Sequence, residues 1–187
     1  MSVLETPRLQ LRPFTAADAE DHARIYAKPE VTRFLAGGPF LGAAAAQRSR
    51  AALDLFIAHW VEHGFGVWAV VDKRTRLLIG QCGLKFLPDR PEVEILYALD
   101  TPYWGQGLAS EAGTAALRYG FEVARLERIV AVALPEHGAS QRVMAKLGMT
   151  YHGLVEVYGG IRAVLYAVSR DEFTRRATTA SSAGGNA

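Results

Sequence analysis

The 187-residue chain has a single cysteine, Cys82, so an internal disulfide is excluded. Its setting, IGQCGL, reads as a buried strand, which favours a structural thiol over a nucleophile. No apolar run reaches the roughly 18 residues needed to cross a bilayer. The opening residues, MSVLETPRLQLRPF, carry neither a long apolar core nor a cleavage signature, which predicts a cytoplasmic protein without a membrane segment. Charge of one sign is scarce too: 21 Lys and Arg against 19 Asp and Glu leave +2, too little to argue for nucleic acid. A pI near 8.8 nevertheless suits a partner carrying phosphates. No Cys/His cluster has metal-ligand spacing, and no internal repeat is visible.

Half of the residues are hydrophobic, enough to bury the core of one domain, expected over residues 1–176. The tail from residue 177, ATTASSAGGNA, is small and polar, which predicts disorder. Leu9 and Leu11 alternate with Gln10 and Arg12 in a first strand closed by Pro13. Thr15 and Asp18 have capping-box spacing before a helix that stops at Pro29, and a short helical piece can follow over 30–35. Gly37, Gly38 and Pro39 then form a loop. From Ala43 to His63, Leu53, Phe56, Ile57, Trp60 and Val61 make the core stripe of a long helix with Gly64 as its C-cap. Strands expected over 66–71, 77–87 and 93–99 are close enough in sequence for an antiparallel meander.

After Gly105 and Gly107 comes a helix whose face is mostly small: Ala109, Ala112, Gly113, Ala116, Leu117, Gly120, Phe121 and Ala124. Glycines inside a helix imply close packing. A strand over 129–134 then lies parallel to 93–99 through the helical crossover. A helix carrying Val143, Met144 and Leu147 and a hairpin around Gly159 and Gly160 complete an α+β domain. Its mixed sheet is mostly antiparallel, flanked by helices, with one parallel pair splayed around a ligand.

The stretch from Tyr97 to Ala112, YALDTPYWGQGLASEA, runs from that parallel strand into the helix. The N–H groups of Gly105, Gln106, Gly107, Leu108 and Ala109 lie where the chain opens the helix and lack intrahelical acceptors. The helix dipole adds positive charge there, and glycine admits a close approach. A phosphate or pyrophosphate site follows. A Rossmann reading is disfavoured, because the third glycine is missing and a meander precedes the turn.

With YWGQGLASEA after EVEILYALD, PEHGASQRVMAKLGM further on and TPRLQLRPF at the start, the chain resembles the GNAT superfamily of acetyl-CoA-dependent N-acetyltransferases, in the RimJ/RimL branch. The resemblance covers about Leu4 to Phe173 and implies transfer of an acetyl group from acetyl-CoA, as cosubstrate, to a primary amine by direct attack. The alternative is a non-catalytic acyl-CoA-binding or regulatory module of the same fold. The pyrophosphate is expected on the glycine turn, including Ser110, and the thioester beside Tyr97, Ala98 and Leu99. Trp104 stands where relatives carry glutamine or arginine, and His137 where they carry asparagine. Glu94 shares a strand face with Glu92, Leu96 and Ala98 and is the candidate base, directly or through water, unless it is a solvated strand residue; Glu92 is expected at the surface. Ser140 either protonates the leaving thiolate, as in relatives with serine there, or only caps its helix. Tyr97, Tyr158 and Tyr166 are further candidate acids or packing residues. The acceptor wall is expected from Phe34 to Phe40 and around Tyr158 to Arg162, with a peptide N-terminus and a small-molecule amine both open. Members of this branch are often dimers, so a homodimer is an implied partner.

Overall fold

The computed structural model describes residues 2–88 and 90–183, with side chains through residue 176. The chain forms β1 (Leu4–Glu5), β2 (Leu9–Pro13), α1 (Ala19–Tyr26), α2 (Pro29–Thr32), α3 (Gly42–His63), β3 (Val67–Asp72), β4 (Leu78–Phe86) and β5 (Val93–Leu99). There follow α4 (Leu108–Glu122), β6 (Arg128–Ala133), α5 (Gly138–Lys146), β7 (Thr150–Val157), β8 (Ile161–Ser169) and α6 (Arg170–Ala183). One eight-stranded sheet has the order β1-β2-β3-β4-β5-β6-β8-β7. Its neighbours pair antiparallel except β5 and β6, which the crossover through α4 makes parallel. A mostly antiparallel sheet removes the Rossmann alternative.

The sheet is covered on both faces. Alternation in β2 buries Leu9 and Leu11 completely, together with Cys82 and Leu84 of β4 and Leu117 of α4. On the opposite face Phe14, Ile25, Leu53 and Phe56 pack α1 and α3 onto Val67, Ala69 and Leu78. The small face of α4 has a direct cause: a Cβ on Gly120 would lie 2.7 Å from Ile129 Cδ1 and 2.8 Å from Leu84 Cδ1. On Gly113 it would lie 2.8 Å from Leu147 Cδ1, so this glycine admits the residue that ends α5 rather than the sheet.

The capping box at Thr15 and Asp18 forms, with the Asp18 carboxylate accepting from Thr15 N at 2.8 Å. Gly64 caps α3 at φ +72°. Val61 departs from the expected core stripe: it is 72% exposed, because the buried arc is centred on Leu53, Phe56 and Trp60 and Val61 lies past its edge. Two elements go beyond the sequence reading, the two-residue β1 and α6. Helix α6 opens with Ser169 N donating to Glu172 Oε2 at 2.8 Å and Glu172 N to Ser169 Oγ at 3.3 Å. It runs on into the expected tail, of which residues 184–187 lie outside the described residues. Among the described residues no helix is long and apolar enough to cross a membrane.

Candidate active site

β5 pairs with β4 along its whole length, from Phe86↔Val93 to Gly80↔Leu99, with no register shift. Its parallel partner β6 is matched only at Glu94↔Val130. Past that point the two strands part, and a cavity of about 950 Å³ opens between them. Its walls include Tyr97, Ala98 and Leu99 from β5, Val132 and Ala133 from β6 with Leu134 just beyond it, and the first turns of α4 and α5. The expected acceptor wall contributes as well, through Phe34, Leu35 and Phe40 on one side and Tyr158 and Ile161 on the other.

At one end of the cavity, Gly105 and Gly107 sit at φ +75° and +77°, with Gly107 as the N-cap of α4. Glu111 N is bonded to Gly107 O, so the N–H groups of Leu108, Ala109 and Ser110 precede the first helical acceptor. Nothing lies within 4 Å of where a Gly105 Cβ would stand, and the nearest atom for Gly107 is an Arg8 guanidinium nitrogen at 3.7 Å. This open, donor-rich turn suits a pyrophosphate. Trp104, half-exposed, turns its indole N–H onto Leu99 O at 2.6 Å and fixes the turn to the end of β5. Gln106 differs from its neighbours, since its side chain donates to Pro102 O and it is absent from the cavity wall, whereas Gly105, Gly107, Leu108, Ala109 and Ser110 line it.

The sequence reading missed the brace behind this turn. Arg8 donates to Gln106 O at 2.9 Å and to Glu111 Oε2 at 2.6 Å, while Thr6 Oγ1 and Arg8 N donate to Glu111 Oε1. Burial opposes ionisation of Glu111, but these donors outweigh it and hold the carboxyl below its ordinary range. The only sequence signals were a polar TPR at the chain start and an acid in the first turn of a helix.

Glu94, Leu96 and Ala98 share one face of β5, as the strand period requires, and Glu94 reaches the cavity wall. It is not solvated: it is 2% exposed and lies directly opposite Lys85 in the β4–β5 register. Lys85 Nζ is 2.5 Å from Glu94 Oε1 and 2.9 Å from Tyr158 Oη, and the Tyr158 hydroxyl donates to the same carboxylate oxygen. Burial pushes the Glu94 carboxyl up, against the pull of Lys85. Lys85 is therefore a second site residue that sequence reasoning passed over, because only the β4–β5 register brings it opposite Glu94.

Ser140 is buried in the first turn of α5, three residues past the N-cap, which is His137. The capping alternative for Ser140 is thereby corrected, because its Oγ lies 3.1 Å from the Tyr97 hydroxyl and faces β5. Burial raises the proton affinity of Tyr97 far above a free phenol. His137 makes no side-chain cap bond; its ring stacks on Phe34, and both line the cavity. Desolvation lowers its pKa, with Arg33 adding to the effect. Tyr166 lies elsewhere, its hydroxyl 3.5 Å from Gln141 Oε1. Glu92 is half-buried and paired with Arg90. Cys82 is fully buried with its thiol pKa pushed up, as befits a structural thiol.

The sequence pattern described as the acetyltransferase (GNAT) domain matches residues 8–150. The chain belongs to the GNAT acetyltransferase family. An uncharacterized N-acetyltransferase, p20 of Bacillus licheniformis, is 31% identical over 159 residues, covering 84% of this chain and 88% of that one. Among solved structures, an acetyltransferase from Agrobacterium tumefaciens is similar at a TM-score of 0.79 and 27% identity, covering 90% of this chain and 94% of the other. The fold is also that of RimL, a ribosomal L7/L12 α-N-protein acetyltransferase solved with coenzyme A, at a TM-score of 0.74, 17% identity and coverages of 91% and 99%.

This GNAT chain is thus an acetyl-CoA-dependent N-acetyltransferase. Acetyl-CoA, the family's cosubstrate, supplies an acetyl group activated as a thioester. The residues present fit it: two glycines without Cβ atoms and a free helix N-terminus suit the pyrophosphate, and the parted strands leave a channel for an extended arm. In the GNAT protein, Trp104 and Arg8 hold that turn in place from its two sides.

Proposed function

We propose that this GNAT enzyme acetylates a primary amine, a peptide N-terminus or a small-molecule amine, by direct attack on the thioester with no covalent acyl-enzyme. One observation carries the reading: a buried carboxylate, Glu94, reaches the cavity at the point where β5 leaves β6. Glu94 takes a proton from the incoming ammonium, directly or through one water, so that a neutral nitrogen attacks. A C–N bond then forms, the C–S bond breaks, and Ser140 Oγ, backed by the Tyr97 hydroxyl, gives a proton to the departing thiolate and regains one from the new amide nitrogen, while Glu94 returns its own to solvent. A backbone N–H of the Tyr97–Leu99 stretch polarises the carbonyl. The turn at Gly105 to Ser110 and His137 hold the CoA portion.

Acceptor choice follows from proton cost. At pH 7 a lysine side chain needs roughly 3 kcal/mol more than an α-amine to become neutral. An α-amine therefore asks less of Glu94. The deciding experiment mixes the enzyme with acetyl-CoA and a panel of peptides and small amines and follows CoA release. The expected result is release with at least one α-amine, reduced about a hundredfold or more in kcat by Glu94→Gln while acetyl-CoA affinity holds. Tight acetyl-CoA binding with no release across the panel would favour a non-catalytic acyl-CoA-binding module.

A further inference from the structure

We propose that Lys85 is the positioning residue that keeps Glu94 ionised, clamped in place by the Tyr158 hydroxyl. The inference rests on the reading of Glu94 as base and adds a residue that reading does not use. Its ground is geometric. Lys85 and Glu94 are directly opposed on adjacent antiparallel strands, with side chains only 10% and 3% exposed. The three protons of the ammonium have three acceptors: Glu94 Oε1 at 2.5 Å, Tyr158 Oη at 2.9 Å and Phe86 O at 3.4 Å. The Tyr158 ring also lies under the charge, its centroid 4.9 Å from Nζ. Tyr158 belongs to the β7–β8 turn and has φ +52°, so a strained residue closes the triangle with Glu94.

The groups around this cluster leave Lys85 as its compensating cation. From α3, His59 accepts Phe86 N–H at Nε2 and pairs Nδ1 with Phe65 O, two demands met together only by the neutral tautomer with its proton on Nδ1. His63 and Glu62 lie behind His59 and influence its titration. Glu92, next along the same face, is paired with Arg90. From β6 the residue opposite Glu94 is the apolar Val130. Arg33, Arg48 and Glu30 stand along the outer cavity wall, on α2, α3 and the loop between them.

A buried carboxylate stripped of its cation takes up a proton rather than remain an uncompensated charge. Protonated, Glu94 cannot accept one from an amine. Lys85 therefore acts through Glu94 and sets the pH below which the base is lost.

The test reads Glu94 itself in the intact enzyme. Carboxyl-13C glutamate is incorporated, the Glu94 resonance is assigned by its loss in Glu94→Gln, and its midpoint is followed by NMR from acid to neutral pH. Lys85→Met is expected to raise the midpoint by about one unit or more, the size of an opposite-charge effect, with Lys85→Arg restoring most of it. Tyr158→Phe raises it by less. A midpoint unmoved in folded Lys85→Met overturns the proposal, since a merely structural lysine changes melting temperature and leaves the titration alone. Should Lys85→Met fail to fold, Tyr158→Phe carries the test, and an unmoved midpoint there also overturns it. Undiminished turnover in Glu94→Gln would remove the base assignment yet leave the midpoint comparison readable, so the two failures are distinct.

Discussion

Phe34 and His137 stack face to face, with ring centroids 3.9 Å apart and planes 12° from parallel. Phe34 belongs to the loop between α2 and α3, and His137 occupies the N-cap position of α5, so the pair ties two separate segments of the cavity wall together. Arg33 adds its guanidinium 4.4 Å from the Phe34 centroid. A stacked pair of this kind contributes roughly 0.5–1.5 kcal/mol beyond buried area. Phe34→Ala is therefore expected to raise the acceptor KM up to about tenfold, with kcat little changed. Steady-state kinetics on an acceptor from the CoA-release panel checks this, and a kcat loss at constant KM would contradict it.

Gly107 holds φ +77°, and the nearest atom to its missing Cβ is an Arg8 guanidinium nitrogen at an ordinary 3.7 Å, so a Cβ there meets backbone strain rather than a clash. A left-handed residue other than glycine costs about 1–2 kcal/mol, and a β-branched one is worse placed. Gly107→Ala should lower stability by about that amount. Gly107→Val should also weaken acetyl-CoA binding, as the turn relaxes away from its donor geometry. Chemical denaturation measures the first and calorimetric titration of the folded variant with acetyl-CoA the second; an unaltered dissociation constant in Gly107→Val removes the turn from the binding site.

Gly120 makes the opposite case, because its conformation is ordinary and its space is taken. An added methyl would meet Ile129 Cδ1 and Leu84 Cδ1 at under 3 Å, both in the fully buried core. Gly120→Ala gains helix propensity of about 1 kcal/mol, yet overpacking of this kind costs roughly 1–3 kcal/mol. A net loss of stability in chemical denaturation is expected, and a net gain would show that α4 shifts freely on the sheet.

How far the sequence could be read follows from these same residues. The α+β order, the parallel pair and the glycine turn were legible, because alternation, capping boxes and glycine placement are local signals. The face of Glu94 was legible from strand period alone. Its partner was not: Lys85 is nine residues away and becomes a neighbour only through the β4–β5 register. Arg8 and Glu111, 103 residues apart, meet only once β2 and α4 share a core. The Phe34–His137 stack likewise depends on a loop conformation that composition does not encode. Helix α6 is the reverse case, since Ser169 and Glu172 carried a capping box in plain view.

His22 is 1% exposed, with Nδ1 2.8 Å from Ser49 Oγ and Nε2 2.8 Å from Gln81 Oε1. Desolvation lowers its pKa, against smaller opposing effects from Gln81 and Asp18. His59 and His137 are shifted the same way, mainly by the same cause. A histidine whose folded pKa lies below its unfolded value, about 6.5, gives stability that is complete above that pH. The unfolded chain then binds the proton first, so stability is lost as pH falls from there through the folded value. The ion-paired carboxylates Asp18, Asp100 and Glu111 have the same sign but a lower window, below their ordinary range of about 4. Burial gives Glu94 the opposite sign, stability being lost as pH rises through its elevated folded pKa. Melting temperature is therefore expected to drop between about pH 6.5 and pH 5, where the histidines dominate. His22→Gln should flatten that slope whatever it does to stability at pH 8, and an identical slope in the variant would mean that His22 accepts its proton without opening the core.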